Sequence, residues 1–203
     1  MKETQVYDLS LSDPMFRDEV IQEPGGEQLI HCFQCSSCTL SCPIAEIGLD
    51  LNPRRTIRGI LLGLRKEVLE SKGIWQCVGC FECTHRCPQD VRFTEVVEAL
   101  RRIAVRSTKD KDKDRRIKLP KEGKRKHSFD KRFSESIWLW GRTWEPELIA
   151  RYLMYGKGVF GMFGAFSYMG MMIGMVKKRK IDVFPHRTKG RKEVRQIFKK
   201  SKE

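Results

Sequence analysis

The sequence predicts a mainly α-helical protein built around two cysteine-rich loops, and three observations carry that expectation. Eight cysteines fall into two sets, Cys32, Cys35, Cys38, Cys42 and Cys77, Cys80, Cys83, Cys87, the second displaced from the first by 45 residues. A stretch of helical periodicity follows each set, and strand-type alternation is weak throughout. A proline follows the last cysteine of each set, Pro43 and Pro88.

After the first set, Asn52-Pro53 reads as a helix start, with Asn as N-cap and Pro at the first helical position. Ile57, Ile60, Leu61, Leu64 and Val68 then repeat at helical spacing. After the second set, Asp90 or Thr94 is expected to cap a helix whose apolar face is Phe93, Val96, Val97, Leu100 and Ile103. Gly73 punctuates the region between them.

Charge divides the 203 residues further. The net charge of +14 sits mainly in residues 101–133 (+10) and 177–203 (+9), whereas residues 1–30 carry −5 and the cysteine-bearing segment is neutral. The opening MKETQVYDLSLSDPMFRDEV has no apolar core and is acidic, unlike a signal or transit peptide. A reducing, cytoplasmic setting with metal or redox use of the thiols is therefore expected.

C-x2-C-x2-C-x3-C-P written twice is the ligand pattern of two 4Fe–4S clusters. Three thiolates within seven residues can wrap one face of a cubane, each reaching a different iron, and the fourth iron needs a thiolate from elsewhere. In two-cluster ferredoxins the fourth cysteine of each run ligates the other cluster. That exchange assigns Cys32, Cys35, Cys38 and Cys87 to one cluster and Cys77, Cys80, Cys83 and Cys42 to the second. Structural zinc prefers cysteine pairs roughly 15–20 residues apart, which does not match four ligands crowded into one short loop. A disulfide scaffold conflicts with the expected compartment. His31 and His85 adjoin cluster cysteines but are not needed as ligands, because the cysteine count suffices. Gly79, Ser36 and Ser37 are small enough to let N–H groups approach cluster sulfurs, and Ile44, Ile47, Val78, Phe81 and Val91 are candidates to exclude water. Trp75 reads as a core aromatic or a contact to a neighbouring protein.

The expected organisation is an acidic arm over 1–30, a two-cluster ferredoxin-type domain over 31–106, a basic, exposed linker over 107–133, and a helical docking segment with a basic tail over 134–203. The linker interleaves Asp110, Asp112 and Asp114 and lacks a nucleic-acid-binding motif, so no nucleic-acid partner is expected. Residues 134–155 read as helical pieces broken near Gly141 and Pro146. Residues 158–176 are uncharged but contain five glycines. They are expected to form a buried or docking helix, with peripheral membrane contact not favoured.

The chain resembles the C subunits of heterodisulfide reductase, through HCFQCSSCTLSCP, IWQCVGCFECTHRCPQDV, GRTWEPELIARY and FPHRTKGRKEVRQIF. The cysteine motif alone is shared with the iron–sulfur subunits of succinate dehydrogenase, glycolate oxidase and anaerobic glycerol-3-phosphate dehydrogenase; the tail pattern Phe-Pro-His-Arg-x-Lys-Gly narrows the likeness. The resemblance implies an α-helical ferredoxin-like protein with two 4Fe–4S clusters. It would relay electrons between a flavin-containing A-type partner and a B-type partner that performs disulfide chemistry, in methanogenic or sulfur-oxidising metabolism. The alternative it leaves is the iron–sulfur subunit of a membrane-linked, quinone-reactive dehydrogenase. The cysteine-rich CCG domain of the B-type partner is missing, since no cysteine remains to build one. Ser36-Ser37 and Thr39-Leu40-Ser41 stand where many relatives have glycine-rich spacers, which points to a non-methanogenic branch.

Overall fold

The structure is a computed structural model, and it describes residues 9, 12–153, 169–178, 180 and 188–200. It is helical, with no strand among the described residues. Two compact units divide the chain, residues 1–124 and 125–203.

The first unit opens with α1 (Met15–Gln22) and a 3-10 turn (Glu27–His31). Phe16 and Val20, four residues apart on one face of α1, are fully buried. The segment expected as an acidic arm thus supplies core. Its acidic side chains meet basic ones from later in the chain. Glu23 accepts from Arg102 Nε and Arg106 Nη2, both at 2.9 Å. Glu19 pairs with Arg65, and with Arg115 at 3.2 Å. Arg65 is only 5% exposed and also donates to Ser107 Oγ at 2.8 Å.

The first cysteine loop contains two single-turn helices, α2 (Ser37–Leu40) and α3 (Pro43–Glu46). The expected helix start after it is present: α4 (Pro53–Leu61) has Asn52 as N-cap, its Oδ1 accepting from Arg55 N at 3.0 Å. The apolar periodicity through Val68 belongs to two helices, however. The chain breaks at Leu62–Gly63 and resumes as α5 (Arg65–Leu69). Gly63 adopts φ +73°, and a Cβ there would stand 2.5 Å from the Asp13 carbonyl oxygen. Asp13 N in turn donates to Gly63 O at 2.8 Å, so the break is where the N-terminal segment docks.

Then α6 (Gly73–Gln76) leads into the second cysteine loop, which contains α7 (Glu82–His85). The long helix α8 (Phe93–Ser107) follows, with Phe93, Val96, Val97, Leu100 and Ile103 at most 1% exposed, as the periodicity predicts. Its cap differs from both expected candidates: Arg92 is the N-cap residue, and its side chain makes no capping bond. Thr94 is instead buried within the first turn. Trp75 packs against the core. The basic stretch read as a linker is partly ordered: Ile117 and Leu119 are buried, and α9 (Lys121–Trp140) takes up its second half. Helical residues with i, i+4 pairs such as Lys126–Asp130 stabilise a charged helix that composition alone reads as coil.

In the second unit an aromatic cluster joins α9 to α10 (Glu145–Leu153). Phe129 stacks on Phe133 and meets Tyr152 edge-on, with centroids 6.0 and 5.8 Å apart. The chain turns at Gly141 as expected. Pro146 sits in the first turn of α10, where its missing N–H costs nothing, and does not break the helix. Further on lie α11 (Met169–Lys177) and the basic, amphipathic α12 (Arg191–Lys200), whose Arg195 guanidinium lies 4.4 Å from the Trp138 ring centroid. Residues 158–168 of the uncharged stretch lie outside the described residues. Among the described residues no helix is long and apolar enough to cross a membrane.

Candidate iron–sulfur site

The 45-residue repeat is a repeat of backbone conformation as well as of cysteines. Gln34 (φ 63°) and Ser36 (φ 74°) are left-handed, and their equivalents Gly79 (φ 67°) and Phe81 (φ 62°) are too. A one-turn helix starts directly after the second left-handed residue in each loop, at Ser37 and at Glu82. Reversing the backbone on both sides of the second cysteine brings three successive thiols round one space. Non-glycine residues seldom adopt this conformation, so finding it at three of four equivalent positions marks a constrained loop.

Two cavities result. One is walled by Cys32, Cys35, Cys38 and Cys87, with Gln34, Arg54, Ile57, Val91 and Phe93 completing it. The other is walled by Cys42, Cys77, Cys80 and Cys83, together with Ile44, Leu51, Val78 and Thr94. Phe93, at 1% exposure, walls both and separates them. The fourth cysteine of each run therefore faces the other run's triplet. All eight cysteines are unpaired as disulfides. Among the described residues no three His, Cys, Asp or Glu side chains converge tightly enough for a single metal ion. The thiols ring a volume, which suits a multi-iron cubane with four separated irons.

The surroundings of the thiols also fit such a group. Gln34 Nε2 donates to Cys32 Sγ at 3.4 Å, and Val91 N donates to Cys87 Sγ at 3.2 Å. The Ser37 hydroxyl lies 3.3 Å from Cys35 Sγ, and Thr94 Oγ1 lies 3.5 Å from Cys83 Sγ. Burial pushes the Cys38 thiol up to about 11, with Cys32, Cys83 and Cys35 adding to the rise. Burial likewise raises Cys77, opposed by the Gly79 backbone N–H and by Arg101. At the exposed Cys35 the Ser37 hydrogen bond lowers the thiol, and Arg54 adds to this. A cationic metal group bound at these thiols would draw them to the thiolate form and release protons. Of the residues expected to exclude water, Ile44 and Val91 are buried at cavity walls. Ile47, Val78 and Phe81 are 69%, 65% and 46% exposed.

Comparison with known proteins agrees with this geometry. Residues 28–91 match the family model of the 4Fe-4S dicluster domain. Residues 28–91 are a 4Fe–4S dicluster domain. The chain is also homologous to heterodisulfide reductase C subunits. It is 41% identical over 85 residues to a protein of Archaeoglobus profundus that is itself named as like the heterodisulfide reductase C subunits, covering 42% of this chain and 45% of that one. It is 45% identical over 73 residues to the second iron-sulfur C subunit of the CoB–CoM heterodisulfide reductase of Methanocaldococcus jannaschii, covering 36% and 38%. With the C subunit of the ferredoxin:CoB-CoM heterodisulfide reductase of Methanosarcina acetivorans it shares 39% over 85 residues, covering 42% and 34%. The match spans less than half the length of each of these relatives.

Several residues at or beside these cavities carry no signature in the cysteine motif. Gln34, Arg54 and Thr94 are visible only once the loops are folded. Arg101 had a signal that could have been read: it is a charged residue four positions after Val97, on the apolar face of a helix.

Proposed function

We propose that this chain is the electron-transfer iron–sulfur subunit of a heterodisulfide reductase-like complex, with two 4Fe–4S clusters. Cys32, Cys35, Cys38 and Cys87 would hold one, and Cys77, Cys80, Cys83 and Cys42 the other. The observation that carries this reading is the sharing of eight thiols, four and four, between two cavities that have Phe93 as a common wall. When bound, the clusters supply one-electron uptake and release at potentials set by burial and by hydrogen bonds to sulfur. The chain's own residues seat the groups, donate N–H bonds to Cys32 and Cys87, and shield the inner thiols. Cys35 and Cys80, the two exposed ligand positions, bring each site to the surface, where a partner's redox centre can approach.

With every cysteine engaged, disulfide chemistry falls to a partner. We propose a flavin-containing A-type partner and a CCG-domain B-type partner, in methanogenic or sulfur-oxidising metabolism and in the cytoplasm, where thiols stay reduced. The names of the similar C subunits support this context.

The test is iron and acid-labile sulfide on anaerobically purified full-length chain, with electron paramagnetic resonance (EPR) after dithionite reduction. About eight of each per chain, with signals from two interacting reduced cubanes, is the expected result. Cys35→Ser and Cys80→Ser should each perturb one cluster; unchanged iron and unchanged spectra in both, or a zinc-loaded wild type, overturn the reading. Affinity capture of the tagged chain should bring A- and B-type partners; a quinone-reactive dehydrogenase in their place overturns the assignment of partners.

A further inference from the structure

Helix α8 carries one charged residue on its buried face. Arg101 is 8% exposed, and each of its three guanidinium nitrogens donates a hydrogen bond. Nε donates to the Ile74 carbonyl at 2.8 Å, Nη2 to the Cys77 carbonyl at 3.0 Å, and Nη1 to Glu98 at 2.5 Å. The guanidinium carbon lies 5.8 Å from the centroid of Trp75. The cation thus sits directly behind the segment that enters the second cysteine loop.

Two physical consequences follow. A trans peptide points its N–H opposite to its C=O, so holding the Cys77 carbonyl on Arg101 turns the Val78 N–H away from it. Val78 walls the second cavity, and the neighbouring Gly79 N–H lowers the Cys77 thiol against the rise that burial causes. Arg101 therefore sets the orientation of the loop amides around the first thiol of that site. Its charge also acts at a distance. A guanidinium cannot lose its proton, and a buried one is weakly screened, so an added negative charge in the adjoining cavity is favoured. The paired Glu98 is half exposed and cancels this only in part. At the first cavity the corresponding cation is Arg54, which bonds Ser36 Oγ at 3.0 Å but lies in solvent, where water and salt screen it.

We propose that Arg101 is a positioning residue that seats Cys77 and raises the reduction potential of the group held in the cavity of Cys42, Cys77, Cys80 and Cys83. This rests on the two-cluster reading above. The experiment is an EPR-monitored redox titration of full-length wild-type, Arg101→Met, Arg101→Lys and Glu98→Gln proteins, each with iron and sulfide measured. The altered signal of Cys80→Ser assigns the second site. In Arg101→Met the ratio of reduced to oxidised second cluster at a fixed potential falls at least tenfold, which is about 59 mV for a one-electron couple. The first cluster keeps its midpoint, Arg101→Lys recovers part of the shift, and Glu98→Gln moves it the opposite way. Iron-replete Arg101→Met and Glu98→Gln proteins that both titrate as wild type overturn the proposal. If Arg101→Met loses its second cluster, Glu98→Gln alone decides by the presence or absence of its upward shift. A wild type lacking about eight irons instead overturns the two-cluster reading, a result distinguishable from failure of the Arg101 proposal.

Discussion

Gly79 is the clearest single residue at which backbone conformation can be separated from packing. Its φ is +67°, and a Cβ added there would meet nothing within 4 Å. Any cost of Gly79→Ala is therefore conformational, about 1 kcal/mol for a non-glycine residue in the left-handed region. The expected outcome is a thermal midpoint lower by several degrees and faster loss of iron to a chelator, with Gly79→Asn milder because Asn tolerates this conformation. Equal midpoints for Ala and wild type would contradict the conformational account. The equivalent Gln34 bears the same strain but also donates to Cys32 Sγ. Its conformational cost is thus tied to a hydrogen bond that tunes the sulfur.

At the scale of elements, α1 is held to α8 by charge as well as by Phe16 and Val20. Burial of Glu23 would raise its carboxyl, but the Arg102 and Arg106 hydrogen bonds outweigh that and hold it below the ordinary carboxylate range. A depressed carboxylate contributes stability that is present above its unfolded value and is lost as pH falls through its folded value. Glu23→Gln should cost about 1 kcal/mol at pH 7, read as a drop of roughly 3–6 °C in thermal midpoint. The gap between variant and wild type should stay constant from pH 8 to about 5 and narrow below that. A gap that widened on acidification would refute the linkage. Helix α4 depends on its cap in the same local way. Asn52→Ala, leaving the Arg55 N–H without its acceptor, should cost about 1 kcal/mol in denaturant unfolding.

For the whole molecule, the cysteines and the other cavity-wall residues all lie between positions 32 and 94, inside the first unit. The basic tail helix packs within the second unit, through Arg195 on Trp138 and Thr188 N on the Trp140 carbonyl at 3.2 Å. Deleting residues 177–203 should leave iron content and EPR signals intact while weakening recovery of the partner proteins in affinity capture. Loss of iron on this deletion would show that the tail supports the dicluster domain itself. The tail helix α12 exposes Lys192, Lys199, Lys200 and Ile197.

The sequence by itself determined the helical class, the doubled ligand pattern, the cap of α4 and the buried face of α8. Each is a local property: spacing along the chain decides which residues share a helix face or a metal. Tertiary structure decided the rest. The helix break at Gly63 exists because Asp13, fifty residues earlier, docks there, and no local pattern announces that contact. Residues 15–22 read as part of an acidic arm because charge dominates their composition, whereas two buried side chains and the guanidinium groups of α8 fold them onto the core. The basic stretch read as linker is helical from Lys121, since i, i+4 ion pairs and the aromatic contacts beyond them outweigh its polarity. Left-handed Gln34, Ser36 and Phe81 could not be read from residue type, because closure of the loops around their thiols imposes a conformation that these side chains do not prefer. Which thiols face a common cavity, and which cation stands behind Cys77, are relations between segments far apart in the chain, and only packing brings them together.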